Sequence, residues 1–127
     1  MKKFPENFLW GAAMSAPQTE GQSLNFGKSA TTWDYWFQTA PEKFHQQQGP
    51  AITSDVYGQY LKDCQRMQEI GLNSVRTSIS WARLLPDGKT VNPQAVAFYR
   101  QYFTAMRDHG VEPVSYTHLR AHETCAD

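Results

Sequence analysis

No stretch of this chain approaches the roughly 20 consecutive apolar residues of a membrane span. Nor does it open with the apolar core of a secretory leader, because Met1-Lys2-Lys3 runs directly into Phe4-Pro5-Glu6-Asn7. No membrane partner and a cytoplasmic location are therefore expected. Net charge is also missing. Twelve Lys and Arg balance twelve Asp and Glu, which argues against the basic stripe of a nucleic-acid binder and the acidic tail of a solvating protein. Cysteine is scarce. Cys64 and Cys125 show neither CxxC metal spacing nor a disulfide framework, and Cys64 is expected to be a small core residue on a helix. These absences leave a small molecule as the expected partner. Aromatic residues, by contrast, make up 13% of the chain, with four Trp and six Tyr. Such rings suit the stacking of sugars and equally suit a ring-rich core.

The 127 residues are enough for one modest domain. An opening strand is expected at about Phe8 to Ala13, followed by a long loop from Gln22 to Ala51 that carries Trp33, Tyr35, Trp36 and Phe37. Rings in such number are expected to pack over the end of a scaffold. Ser54 is placed to cap a helix whose apolar positions are Tyr57, Tyr60, Leu61, Cys64, Met67 and Ile70, with Gly71 at its end. From Asn73 to Trp81 the period changes. Val75, Thr77 and Ile79 share one face of a strand, while Arg76, Ser78 and Ser80 share the other. A polar face is unusual for a sheet covered on both sides, unless it points into a barrel whose upper layer is a site.

After a turn at Pro86-Asp87-Gly88, Asn92-Pro93 reads as an N-cap with Pro at the first helical position. Val96, Tyr99, Phe103 and Met106 follow at helical spacing up to Gly110, and Val111 to Val114 starts a third strand. The order strand, helix, strand, helix, strand, with crossovers long enough for parallel pairing, predicts an α/β fold.

The chemistry concentrates in Phe8-Leu9-Trp10-Gly11-Ala12-Ala13-Met14-Ser15-Ala16-Pro17-Gln18-Thr19-Glu20-Gly21, where an apolar strand passes into small residues and then a clustered amide and carboxylate. Small side chains let backbone approach a ligand, and the Gln18 amide offers both a donor and an acceptor to vicinal hydroxyls. A turn amide bonding its own backbone is the structural alternative. Arg83 and Lys89 lie near a turn and are expected to be solvated. Trp33 and Trp81 are as compatible with packing as with lining a site.

Three blocks, FLWGAAMSAPQTEG, GKSATTWDYW and TSDVYGQYLKDCQRMQEIGLNSVRTSISWARLLPDG, occur in the order seen in glycoside hydrolase family 1, the retaining β-glycosidases, which the chain resembles from about Phe4 to Val114. The resemblance implies the N-terminal part of a (β/α)8 barrel, about three strands and two helices of it, incomplete. It implies catalysis by two glutamates. Neither is in this chain: one belongs to an Asn-Glu-Pro block and the other to a Glu-Asn-Gly block, and both would follow Asp127. By position, Gln18 matches the signature glutamine that binds glycone hydroxyls. Arg76 matches the arginine that holds the nucleophilic carboxylate ionised, a structural ion pair being the alternative. Glu20 belongs to the framework of the signature. No metal or organic cofactor is implied.

The tail differs in kind. Ser115 to Asp127 lacks helical and strand periodicity, and VSYTHLRAHET looks like the translation of a transposon-type sequencing adapter. Residues 1–114 are thus expected to form the barrel part and 115–127 a non-native tail. His118 and His122 do not align with the family's histidine, and H-x-x-x-H with Glu123 is a weak zinc motif. The resemblance is strongest to bacterial 6-phospho-β-glucosidases, which makes a β-glucoside or its 6-phosphate the expected carbohydrate partner. The alternatives are a β-glucosidase or β-galactosidase acting on plain sugars, a non-catalytic carbohydrate-binding module, and a translation product without function.

Overall fold

The computed structural model describes residues 2–116. Three strands, β1 (Gly11–Ala13), β2 (Ser74–Ser78) and β3 (Glu112–Tyr116), form a parallel sheet in the order β1-β2-β3. Gly11 is registered against Ser74, Ala13 against Arg76, and Arg76 in turn against Val114. Between β1 and β2 lie α1 (Ala16–Thr19), α2 (Thr32–Thr39) and α3 (Val56–Glu69), and β2 is followed by a single turn, α4 (Trp81–Leu84). The long helix α5 (Pro93–Asp108) then leads into β3. A parallel sheet with helical crossovers is α/β, and it is not the antiparallel sandwich of a carbohydrate-binding module.

The two long helices follow the sequence periodicity. Asn92 caps α5 by accepting from Gln94 N at 3.1 Å, with Pro93 at the first turn as expected. Cys64 and Met67 of α3 and Ala95, Phe98, Tyr99, Tyr102, Ala105 and Met106 of α5 are buried with Val75 of β2 and Val111 in one core. Tyr57 stacks on Phe98 at 4.2 Å between ring centroids, and Phe98 on Tyr102 at 5.8 Å. Cys64 is fully buried, and burial pushes its thiol up to about 11. The turn before α5 is held by Asp87, whose Oδ1 accepts from Thr90 N at 2.6 Å and Lys89 N at 2.9 Å.

Boundaries depart from expectation where side chains replace regular pairing. The ladder of β1 starts at Gly11 rather than Phe8. Upstream, Asn73 brackets the chain, accepting from Trp10 N at 2.7 Å and donating to Phe8 O at 3.0 Å. Helix α3 begins after Asp55, not Ser54. Asp55 has φ 49 and makes no side-chain cap; its Oδ1 instead accepts from Gln22 Nε2 at 2.9 Å. Leu61 and Ile70, expected on the apolar stripe of α3, are exposed. The second strand ends at Ser78, and Trp81 opens α4 instead of closing the strand.

The expected loop from Gln22 to Ala51 also contains ordered helix. Thr31 and Asp34 form a reciprocal capping box at the start of α2, and two short 3₁₀ turns, Pro41–Lys43 and His45–Gln47, follow it. Trp33 packs on Trp36 at 5.4 Å and Trp36 on Phe44 at 5.0 Å, so these rings cluster with one another while Trp33, Tyr35 and Trp36 stay substantially exposed.

Candidate functional site

Parallel strands deliver their following loops to one end of a sheet, and in α/β proteins ligands bind at that carboxyl end. Here the end is stitched across β1 and β2. Met14 N donates to Arg76 O at 2.8 Å, and Ala16 N donates to Ser78 Oγ at 2.9 Å. The second bond ties the start of α1 to the last residue of β2. Gln18 sits on α1 and is exposed; its Oε1 accepts from Ser15 Oγ at 2.8 Å, which leaves the amide NH2 as the outward donor. Arg76 is exposed on β2, between the buried Val75 and Thr77. Strand alternation therefore puts Arg76 on the face opposite Val75, away from the α3–α5 core. The structure thus places Gln18 on the helical turn that follows β1 and Arg76 on the neighbouring strand β2.

Glu20 follows α1 directly and is buried. Arg83 Nε donates to Glu20 Oε1, and Tyr99 Oη donates to Glu20 Oε2 at 2.8 Å while accepting from Ser80 N at 2.8 Å. Burial pushes the Glu20 carboxyl above its ordinary value, against the opposing pull of Arg83 and Tyr99. Burial likewise raises the Tyr99 hydroxyl well above its usual range. A carboxylate enclosed in this way cannot reach a substrate, which agrees with its reading as framework.

Arg83 overturns an expectation. Read as a solvated turn residue, it is completely buried. Besides Glu20, its guanidinium donates to Gly21 O at 3.0 Å, to Gln22 O at 3.4 Å and to Asn25 O at 3.4 Å, and lies 4.4 Å from the centroid of the Tyr57 ring. The segment after α1 is folded around this one cation. Gly21 is required there: it has φ +69, and a Cβ would stand 2.2 Å from Ile52 O. Lys89, by contrast, is exposed as expected.

A second polar cluster was not anticipated. Asp34 is buried and accepts from Ser23 Oγ at 2.5 Å, Thr31 Oγ1 at 2.7 Å, Thr31 N at 2.8 Å and Lys28 Nζ at 3.1 Å. Burial would raise this carboxyl, but the bonds from Ser23 and Thr31 and the charge of Lys28 together hold it below its ordinary value. The signal was in the spacing Thr31-x-x-Asp34, a capping-box pattern.

Trp33 lines a small hollow with Pro17, Thr31, Ser80 and Ala82, and Trp81 is half-buried at the head of α4. That hollow and an adjoining one beside Lys28 each hold about 10 Å³, space for about one water molecule. Neither of these two hollows is large enough for a sugar ring. Among the described residues no cluster of three or more His, Cys, Asp or Glu is placed to hold a metal, and no helix is long and apolar enough to cross a membrane. His118 and His122 lie outside the described residues.

The family model described as glycosyl hydrolase family 1 matches residues 1–119. The chain is 43% identical over 112 residues to the 6-phospho-beta-glucosidase GmuD of Bacillus subtilis (strain 168), covering 87% of this chain and 24% of that protein. Against beta-glucosidase 28 of Arabidopsis thaliana it is 41% identical over 113 residues, covering 87% and 19%. Among solved structures, the psychrophilic beta-glucosidase BglU from Micrococcus antarcticus superposes with a TM-score of 0.82 at 36% identity, over 88% of this chain and 24% of that one. The chain thus spans about a quarter or less of the length of these relatives. Its three parallel strands and their helices are a partial (β/α)8 barrel.

Proposed function

The chain belongs to glycosyl hydrolase family 1, and on that premise we propose that it is the opening part of a retaining β-glycosidase that acts on 6-phosphorylated β-glucosides. The observation that carries the reading is an exposed amide, Gln18, on a turn beside the strand that bears Arg76, in a chain the family model matches almost throughout. In a retaining mechanism one carboxylate attacks the anomeric carbon while a second protonates the departing oxygen and later activates water, the two about 5–5.5 Å apart. Both glutamates would come from sequence outside this chain. Gln18 would bind glycone hydroxyls, and the Arg76 guanidinium would hold the nucleophile ionised by charge-assisted hydrogen bonds. Residues 1–127 by themselves then turn over no glycoside. Residues 115–127 are proposed as a non-native tail, of which 117–127 lie outside the described residues.

The phosphorylated substrate is supported by the SAPQTEG form of the opening block and by the similarity to a 6-phospho-beta-glucosidase. A phosphorylated disaccharide would be met in the cytoplasm, the location proposed here. A second reading, a β-glucosidase on plain sugars, is favoured by the match to the Arabidopsis enzyme at nearly the same identity. Steady-state hydrolysis of nitrophenyl β-glucoside and of its 6-phosphate by the uninterrupted parent enzyme separates the two. A higher kcat/KM on the phosphorylated substrate is expected, and preference for the plain glucoside overturns that subtype. In the same enzyme Gln18→Ala is expected to lower kcat/KM roughly tenfold to a hundredfold, as loss of hydrogen bonds to a buried hydroxyl does. Arg76→Met is expected to shift the acid limb of the kcat/KM profile to higher pH, because a carboxylate that loses its cation titrates later. An unmoved limb removes Arg76 from that role.

A further inference from the structure

We infer that the buried Glu20, Arg83 and Tyr99 form a positioning device for Gln18, fixing the one-turn helix that carries it. The inference rests on the reading of Gln18 as a glycone-binding amide. Helix α1 has four residues, too few to hold a conformation by its own hydrogen bonds, since helix nucleation is unfavourable until several turns have formed. Its geometry must be imposed from outside, and the structure supplies a tie at each end. At the start, Ser78 Oγ of β2 takes the otherwise unpaired Ala16 N–H, at 2.9 Å. At the finish, Glu20 follows Thr19 into the cluster, where Arg83 and Tyr99 each take one carboxylate oxygen.

The chain cannot drift beyond that point either, because Arg83 also binds the carbonyls of Gly21, Gln22 and Asn25. Tyr99 adds a second anchor through Ser80 N at 2.8 Å, which ties the head of α4 to the same carboxylate. Rotation of α1 is thereby restrained from β2, α4 and α5 at once. Gln18 lies between the two ties, with its amide oriented by Ser15 Oγ at 2.8 Å. None of the three clustered side chains is exposed, so their effect on substrate is exerted through Gln18. A displacement of about 1 Å in a positioning group is enough to lose up to about a hundredfold in rate.

The test is a double-mutant cycle in the uninterrupted parent enzyme, read as kcat/KM on a nitrophenyl glycoside. Tyr99→Phe removes one hydroxyl and keeps the ring in the core. It is expected to lower kcat/KM about tenfold in the parent and by less than about twofold when Gln18 is already alanine. The thermal midpoint should fall equally in both backgrounds. Ser78→Ala, which releases the other end of α1, is expected to show the same loss of effect in the Gln18→Ala background. If both substitutions cost the same factor with and without Gln18, the cluster is structural only and the inference is overturned. If Gln18→Ala leaves kcat/KM unchanged, the reading of Gln18 fails first and the inference falls with it.

Discussion

The block made by α3, β2 and α5 and the segment from Glu20 to Asp55 adjoin each other, yet they are held by opposite means. In the block, Cys64, Val75, Met106 and Val111 are shut away from water, and the apolar area they remove from solvent is the main stabilising term. In the segment, the most enclosed charged groups are Glu20, Asp34 and Lys28, each secured by directed bonds, Glu20 to Arg83 of α4 and Lys28 to Asp34. Its large rings, Trp33, Tyr35 and Trp36, stay substantially exposed. The architecture divides labour between the two. Non-directional burial tolerates small shifts, whereas a carboxylate shared by a guanidinium and a phenol fixes one geometry, because leaving any partner unpaired is costly.

The largest test of that contrast is Arg83→Met in the parent enzyme. Removing the guanidinium leaves the buried Glu20 carboxyl with the Tyr99 hydroxyl but without its cation, so a loss of about 3–5 kcal/mol is expected by equilibrium denaturation. Replacing both residues by apolar ones should recover much of it. If Arg83→Met is silent, the segment is not organised around the cation. On the apolar side, Met106→Ala is expected to cost about 2–5 kcal/mol, the transfer and cavity terms of a fully buried side chain. A loss under about 1 kcal/mol would mean that the block collapses around the gap and is less tightly packed than its burial implies.

The smallest effect expected is the pH dependence of the stability that Asp34 contributes. Its carboxyl is held below the ordinary value. The stability it contributes is therefore complete above an unfolded pKa of about 4 and is lost as pH falls through the lower folded value. Asp34→Asn should cost about 1 kcal/mol near neutral pH, as weakening a capping box does. The gap in thermal midpoint between the two proteins should narrow as the solution is acidified through that window. A gap that stays constant would assign Asp34 a role of shape rather than charge.

The legible part of the molecule is the part whose signals are local. Asn92-Pro93 announces the start of α5, Gly71 and Gly110 stand just past the two long helices, and the change of period from Asn73 to Trp81 contains β2. That Gln18 follows the first strand and that Arg76 lies within the second was also legible, since both are local to a strand. Arg83 was misread because nothing in Trp81-Ala82-Arg83-Leu84 discloses that Glu20 and three backbone carbonyls lie opposite. Leu61 and Ile70 satisfy the helical period and are nevertheless exposed, because periodicity says which residues share a face and not how much of that face is covered. Asp34 carried a recognisable capping pattern but was hidden inside a stretch whose glycines, prolines and glutamines read as loop.

By itself the sequence determined the order of the three strands and the two long helices, their main stops and the family, because caps, periods and short motifs act between residues close along the chain. Only the tertiary structure decided which charges are buried, which rings remain wet and what grips the turn bearing Gln18. Those outcomes depend on groups brought together across more than sixty positions, as Glu20 and Arg83 are, and no local pattern encodes the partner that desolvation will demand.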